Sequence, residues 1–378
     1  MLNLELVGAD VLRPEGLRRD TLAFADGVIL AAGAGRRVDL GGYIVLPGIV
    51  DVHGDGFERH VAPRRGAMKQ MTEGLVAVEA ELAANGITTA VLAQFVSWEG
   101  GLRSLEFAET VFDALQQVAR GAVTDLRAQL RFETHLLDLY DSLPERLAQW
   151  GVSYVVFNDH LPHDRLAAGR TPKRLVAQAL KAARNPEMHH AMMRDLHARR
   201  DEVPAALDVL CARLAERGIT MGSHDDRTAK ARAAWDARGV RVAEFPETAE
   251  AAEAARGAVV LGAPNVVRGG SHNGNVSALD LVAMGVGDAL ASDYHYPSPR
   301  RAALMLWKSG VLDLAAAWRL VSEGPARVLG LRDRGTFDPG QRADMVILDA
   351  ADHRVAATIA GGRVSHMTGD IAARFIDA

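Results

Sequence analysis

Eight short apolar segments, most entered through a glycine and nearly all ending in polar residues, constrain this chain more than any other feature. In order they are GIVDVHGD, GITTAVLAQF, QLRFETH, VSYVVFNDH, GITMGSHDD, GVRVAEFPE, GAVVLGAPN and DALASDYHY. Between them the apolar residues recur at steps of three and four, the spacing of a single helix face. Met68, Met71, Leu75, Val78 and Leu82 form one such stripe, and Leu102, Leu105, Ala108, Val111, Phe112, Leu115 and Val118 another. Leu207, Leu210, Cys211 and Leu214 repeat the pattern, as do Val311, Leu314, Trp318 and Val321. Strands that alternate with helices and are apolar along their length belong in a parallel sheet covered on its outer face. Eight such units match a closed α/β barrel of the (β/α)8 TIM type. A doubly wound open sheet competes, but the Gly-rich nucleotide-binding turn it needs is missing.

Both ends of the chain read differently. Up to Pro47 the sequence is a set of short alternating pieces separated by turns, and from Gly335 onward it returns to strand and turn composition. The expected organisation is a small β-sandwich domain built from residues 1–47 and 336–378, with the barrel in 48–335. Residues 161–204 are rich in Arg, Lys, His and Pro and too long for a minimal strand–helix–strand connection, so a helical excursion or lid is expected there. Its histidines His189, His190 and His197 read as a solvated face, and Cys211 as a core thiol.

With 378 residues and a hydrophobic fraction of 48%, the chain can hold one large core and a satellite. A formal net charge of -5 argues against nucleic acid as a partner, and a single cysteine excludes an intrachain disulfide framework. No apolar run reaches membrane length, so no membrane partner and a cytoplasmic location are expected.

In such barrels the chemistry sits at the C-terminal ends of the strands. His53 and Asp55 end the first segment, Glu133 and His135 the third, and Asn158, Asp159 and His160 the fourth. His224, Asp225 and Asp226 end the fifth, and Asp293 and His295 the eighth. Imidazoles and carboxylates converging on one mouth suit zinc or another first-row divalent cation. Not all can be ligands: His135 can equally support its neighbours, and Asp225 or Asp226 can orient an imidazole. After the seventh segment, GAPNVVRGGSHNGNVSA offers Asn265, Arg268, Ser271, His272 and Asn273 as hydrogen-bond donors among glycines that let a ligand approach. An ordinary glycine-rich loop reads as well there, and the stretch is not a P-loop. Arg300 and Arg301 follow the eighth segment, where they can face solvent or phosphate.

LPGIVDVHGD, ASDYHYPSP and GTFDPGQRADMVILD resemble the amidohydrolase superfamily, and FNDHLP, GSHDD and GAPNVVRGGSHNGNVSALD are more specifically similar to the PhnM-type diphosphatases of the carbon–phosphorus lyase pathway. The resemblance runs from about Met1 to His366. It implies a distorted barrel, one or two divalent metal ions (zinc first), and a ribose phosphonate triphosphate as the small-molecule substrate. It also implies a homo-oligomer. His53 keeps the first place of the family's paired strand-one histidines and Asp55 stands in the second. Glu133 takes the part of the bridging carboxylated lysine, His160 and His224 fill histidine ligand places, and Asp293 resembles the strand-eight acid that acts on water. Arg268, His272, Arg300 and Lys308 would offset phosphate charge, with His295 beside them. Attack at carbon, as in deaminases and cyclic amidases, or a non-catalytic phosphonate-sugar binding role, are the competing readings.

Overall fold

A computed structural model of the chain describes residues 2–33, 35–62, 70–270 and 275–377. The chain opens with β1 (Leu4–Arg13), β2 (Gly16–Ala25), β3 (Val28–Leu30), β4 (Arg36–Asp39) and β5 (Tyr43–Pro47). Eight parallel strands follow: β6 (Ile49–Gly54), β7 (Ile87–Val96), β8 (Asp125–Glu133), β9 (Tyr154–Asn158), β10 (Thr220–His224), β11 (Val242–Glu244), β12 (Ala258–Gly262) and β13 (Ala289–Ala291). The last strands are β14 (Met345–Asp349), β15 (Val355–Ala360) and β16 (Arg363–Met367). The fold is the expected one: a (β/α)8-like barrel, and a mixed β-sheet domain drawn from both termini.

β5 joins the two chain ends. It runs parallel to β1 and antiparallel to β14, giving the sheet order β16-β15-β14-β5-β1-β2-β3, with β4 on β1. In β1 the buried phase changes midway, from Leu4 and Leu6 to Ala9 and Val11. A bulge between Leu6 and Ala9 inserts the extra residue that flips it. Gly8 occupies that bulge at φ 76°, with Asp39 Oδ1 only 2.5 Å from where a Cβ would stand. Leu6, Phe24, Val45, Met345, Ile347 and Ile359 pack the core of this domain.

The chain divides into two compact units, Met1–Leu92 with Gln117–Arg127 and Ala258–Ala378, and Ala93–Gln116 with Ala128–Gly257. The first holds the terminal sheet, β6, β12, β13 and the openings of β7 and β8. There β6 pairs with β7, β12 with β13, and a parallel bridge joins Gly54 to Asp293. The second holds the ends of β7 and β8 and, paired in register from there, β9, β10 and β11. All ten residues of β7 are buried, as a strand covered on both faces requires.

The helical stripes are packing faces. Helix Met71–Ala84 buries Leu75, Val78 and Leu82, while Met68 lies outside the described residues. Helix Leu105–Ala119 buries Ala108, Val111, Phe112 and Leu115. Leu102 departs from its stripe, for it is 41% exposed in the 3-10 turn Gly101–Arg103. Gly100 and Gly101 both take positive φ and start that turn before the helix can begin. Cys211 is a core thiol, pushed up to about 12 by burial.

The 161–204 stretch carries helices His163–Ala167, Leu175–Lys181 and Pro186–Ala198. Of His189, His190 and His197, the first corrects the solvated-face expectation, while His190 and His197 are half-buried. His189 is fully buried with its ring 5.7 Å from Trp98, and Met193 is buried one turn further on the same inward face. His197, a turn beyond that, meets His163 with their Nδ1 atoms 2.8 Å apart.

Candidate metal centre

In the first unit the site is built on β6 and the end of β13. Every side chain of β6 is buried, Asp51 and His53 included. Ser292 donates its N–H (2.9 Å) and its hydroxyl (2.5 Å) to the Asp51 carboxylate. Burial pushes the Asp51 carboxyl upward, and the Ser292 donors pull against it. The residue between the two ligand candidates has to be glycine. A Cβ on Gly54 would stand 2.8 Å from Asp51 Oδ2 and 2.9 Å from both Ser292 Oγ and Tyr296 Cε1.

Main-chain bonds fix the ligand carriers. Asp293 N–H donates to the His53 carbonyl at 2.9 Å, and Asp55 N–H donates to the Asp293 carbonyl at 2.9 Å. Asp293 sits at φ 53°, a left-handed conformation uncommon outside glycine and held here by those bonds. The result brings His53, Asp55 and Asp293 together, with ligand atoms within 4.8 Å of one another. One imidazole and two carboxylates fit a divalent first-row cation by donor type.

In the second unit the pairs are made by side chains. Glu133, fully buried at the end of β8, accepts from the His160 backbone N–H at 3.2 Å and lies 2.5 Å from His160 Nδ1. Burial opposes a charge on His160, but the Glu133 carboxylate carries its pKa upward. Asp225 Oδ2 lies 3.0 Å from His224 Nδ1, close enough to orient that ring, and 3.9 Å from His160 Nε2. Burial acts on Asp225 in the opposite sense, yet His224 holds it down at about 2. Asp226 has a structural task instead: it is buried and accepts from Ser223 Oγ at 2.5 Å and Arg232 at 2.9 Å.

Glu244, at the end of β11, is the residue that sequence reasoning missed. It is fully buried, accepts from Gln129 Nε2 at 2.8 Å and Tyr154 Oη at 2.5 Å, and offers an oxygen within 4.8 Å of a His224 ring nitrogen. The signal was present in GVRVAEFPE, a strand ending in a carboxylate. His135 joins neither Glu133 nor His160. It faces His163 and Asp159, whose ligand atoms also lie within 4.8 Å of its own.

The candidate phosphate-binding residues scatter. Asn265 and Arg268 lie on the short helix Ala263–Arg268 that follows β12, and Arg268 donates to Tyr294 Oη at 3.3 Å. Ser271, His272 and Asn273 lie outside the described residues. His295 Nδ1 meets Ser298 Oγ at 2.8 Å. Arg300 donates to the His353 carbonyl at 2.7 Å, and Lys308 Nζ lies 3.4 Å from His353 Nδ1, so both turn to the β14–β15 hairpin.

Residues 60–366 match the amidohydrolase family. The chain belongs to that family. Among curated relatives, this amidohydrolase is 32% identical over 327 residues to the alpha-D-ribose 1-methylphosphonate 5-triphosphate diphosphatase of Escherichia coli (strain K12), covering 83% of this chain and 85% of the relative. It is 26% identical over 383 residues to the adenine deaminase of Methylobacterium sp. (strain 4-46), covering 95% of this chain but 56% of the deaminase. The solved N-acetylglucosamine-6-phosphate deacetylase from Pasteurella multocida superposes with a TM-score of 0.62 at 11% identity, covering 96% of this chain and 99% of that one. That likeness speaks to the fold. Family and ligand groups together make the amidohydrolase a metal-dependent hydrolase. Among the described residues no helix is long and apolar enough to cross a membrane.

Proposed function

We propose that this amidohydrolase hydrolyses alpha-D-ribose 1-methylphosphonate 5-triphosphate, or a close phosphonate analogue, to the 5-phosphate and diphosphate. The observation that carries the substrate is the 32% identity to the diphosphatase, spread over 85% of that relative's length. His53, Asp55, Glu133, His160, His224 and Asp293 would hold one or two divalent ions, zinc first. Such an ion supplies Lewis acidity and brings the pKa of water toward neutrality. Asp293 orients the attacking water and takes its proton, its carboxylate aimed by the backbone clasp to His53 and Asp55. The water oxygen bonds to the phosphorus nearest the ribose, the bond from that phosphorus to the bridging oxygen breaks, and diphosphate leaves with that oxygen. Arg268 neutralises charge on the phosphates, assisted by His272 and neighbours in the stretch after β12. Asn265, Ser271, Asn273 and His295 are assigned to the same polyphosphate. Arg300 and Lys308 are assigned a longer-range electrostatic part. The protein acts as a cytoplasmic homo-oligomer.

A second reading is hydrolysis at carbon, with Asp293 passing its proton to a nitrogen leaving group. The similarity to adenine deaminase over 95% of the chain supports it. Metal-reconstituted protein offered the ribose triphosphate and, separately, adenine decides between them. Phosphorus NMR showing diphosphate released in one step, with no ammonia from adenine, is the expected result. Ammonia release without diphosphate would replace the first reading by the second.

A further inference from the structure

The second unit gathers a set of ligand-type side chains that the proposed reaction does not use. His135 follows β8, Asp159 follows β9, and His163 opens the first helix of the 161–204 stretch. His135 Nε2 and His163 Nε2 stand 3.1 Å apart. Asp159 Oδ1 lies 3.2 Å from His163 Nε2 and 3.4 Å from His135 Nε2. These three separations close a nearly equilateral triangle. Zinc with nitrogen and oxygen ligands at about 2.0–2.1 Å sets neighbouring tetrahedral ligand atoms about 3.3 Å apart. The triangle therefore has the dimensions of one face of a zinc tetrahedron, with the fourth position left for water.

The surroundings support a cation rather than a chance meeting of polar groups. His135 is 4% exposed, so it is placed by packing and not by solvent. His163 presents Nε2 to the triangle and has its other nitrogen, Nδ1, 2.8 Å from His197 Nδ1. A partner on the far nitrogen is how metal-bound imidazoles are oriented and kept in the right tautomer. The position also has a mechanical use. Among the described residues, the apolar cluster under the stretch that contributes His163 and His197 has Trp98, Leu161, Leu166, Leu175 and Met193 as its buried members, with Leu136, Met192 and Leu196 packed against them. That is a thin core for three helices, and a metal bond from His163 to two strand ends would fasten them.

We propose that His135, Asp159 and His163 bind a second class of divalent cation, zinc by donor type, which staples the 161–204 helices to the ends of β8 and β9, with His197 as the positioning residue for His163. This site is separate from the proposed catalytic ligands and stands whatever reaction the catalytic centre performs.

The test is metal counting on the full chain. Chelator-stripped protein is titrated with zinc against a chromophoric competitor, then with cobalt by absorption. Wild type should bind one more equivalent per chain than His163→Ala, whereas Asp293→Asn should keep that equivalent. Chelation should also speed limited proteolysis within 161–204 in the wild type and not in His163→Ala. His163→Cys should give a thiolate-to-cobalt charge-transfer band absent from wild type, whose single cysteine is buried. That variant gives the same decision if His163→Ala does not fold. Equal stoichiometry and affinity in wild type and His163→Ala, or no band in His163→Cys, would overturn the site and leave a network of shared protons.

Discussion

The two units hold their ligand-type residues by different means. In the first, His53, Asp55 and Asp293 are joined through the backbone: a bridge from Gly54 to Asp293 and N–H bonds at 2.9 Å on either side of it. In the second, Glu133, His160, His224 and Asp225 are joined side chain to side chain, at 2.5 to 3.9 Å. A backbone clasp survives a change of side chain; a side-chain lattice does not. Substitutions in the first unit should therefore separate chemistry from folding, and those in the second should couple them.

The largest effect expected is on turnover. Asp293→Asn keeps the peptide bonds that hold the position, removes the basicity of the carboxylate and weakens one proposed metal ligand. Loss of a positioned general base typically costs about 10²–10⁴-fold in rate. We expect a fall of that size in kcat, measured on metal-loaded protein, with the melting temperature of the metal-free protein nearly unchanged. A large loss of stability would show that the clasp depends on the side chain after all.

Next comes the lattice under His224. Arg232 is buried and donates to Ser223 at 2.5 Å, Asp226 at 2.9 Å and Asp236 at 3.3 Å, and also to the Val240 carbonyl. Arg232→Met leaves two buried carboxylates without their cation, and breaking buried pairs in this way costs about 3–5 kcal/mol. Denaturant unfolding should register that loss, and bound metal should fall with it because Ser223 and Asp226 flank His224 in sequence. If stability drops while metal content holds, the second unit behaves like the first and the contrast fails.

What the sequence disclosed follows the same division. Strand ends were legible because a barrel puts them on one face whatever the side chains do. His53, Asp55 and Asp293 needed only that rule to meet, whereas the requirement for glycine at Gly54 was visible only in the structure. The pairing of Asp225 with His224 was open to reading because the two are adjacent. By contrast, Glu244 ends a strand of three residues, too short for period to single it out. His163 and His197 are 34 residues apart and meet through the turns of an excursion whose path no local pattern specifies. Arg300 was read toward phosphate from its nearness to β13, but the helix Ser298–Lys308 carries it to His353. Direction along a helix is set by packing, and packing is tertiary.

The smallest effect separates the two kinds of attachment by acid. Main-chain bonds do not titrate near neutrality, whereas the lattice contains Asp225, depressed to about 2 by His224 despite its burial. An unfolded aspartate titrates at about 3.9. The folded carboxyl is the stronger acid, so its contribution is complete above the unfolded value and is lost as pH falls from about 4 through about 2. Solvent reaches 36% of the Asp225 side chain, which screens the interaction and leaves about 1 kcal/mol at stake. Metal-free wild type and Asp225→Asn should differ by that amount at pH 6 in urea unfolding and converge near pH 2. If the wild-type and Asp225→Asn curves instead stay parallel down to pH 2, the Asp225 carboxylate is not an acid-sensitive tie of the side-chain lattice.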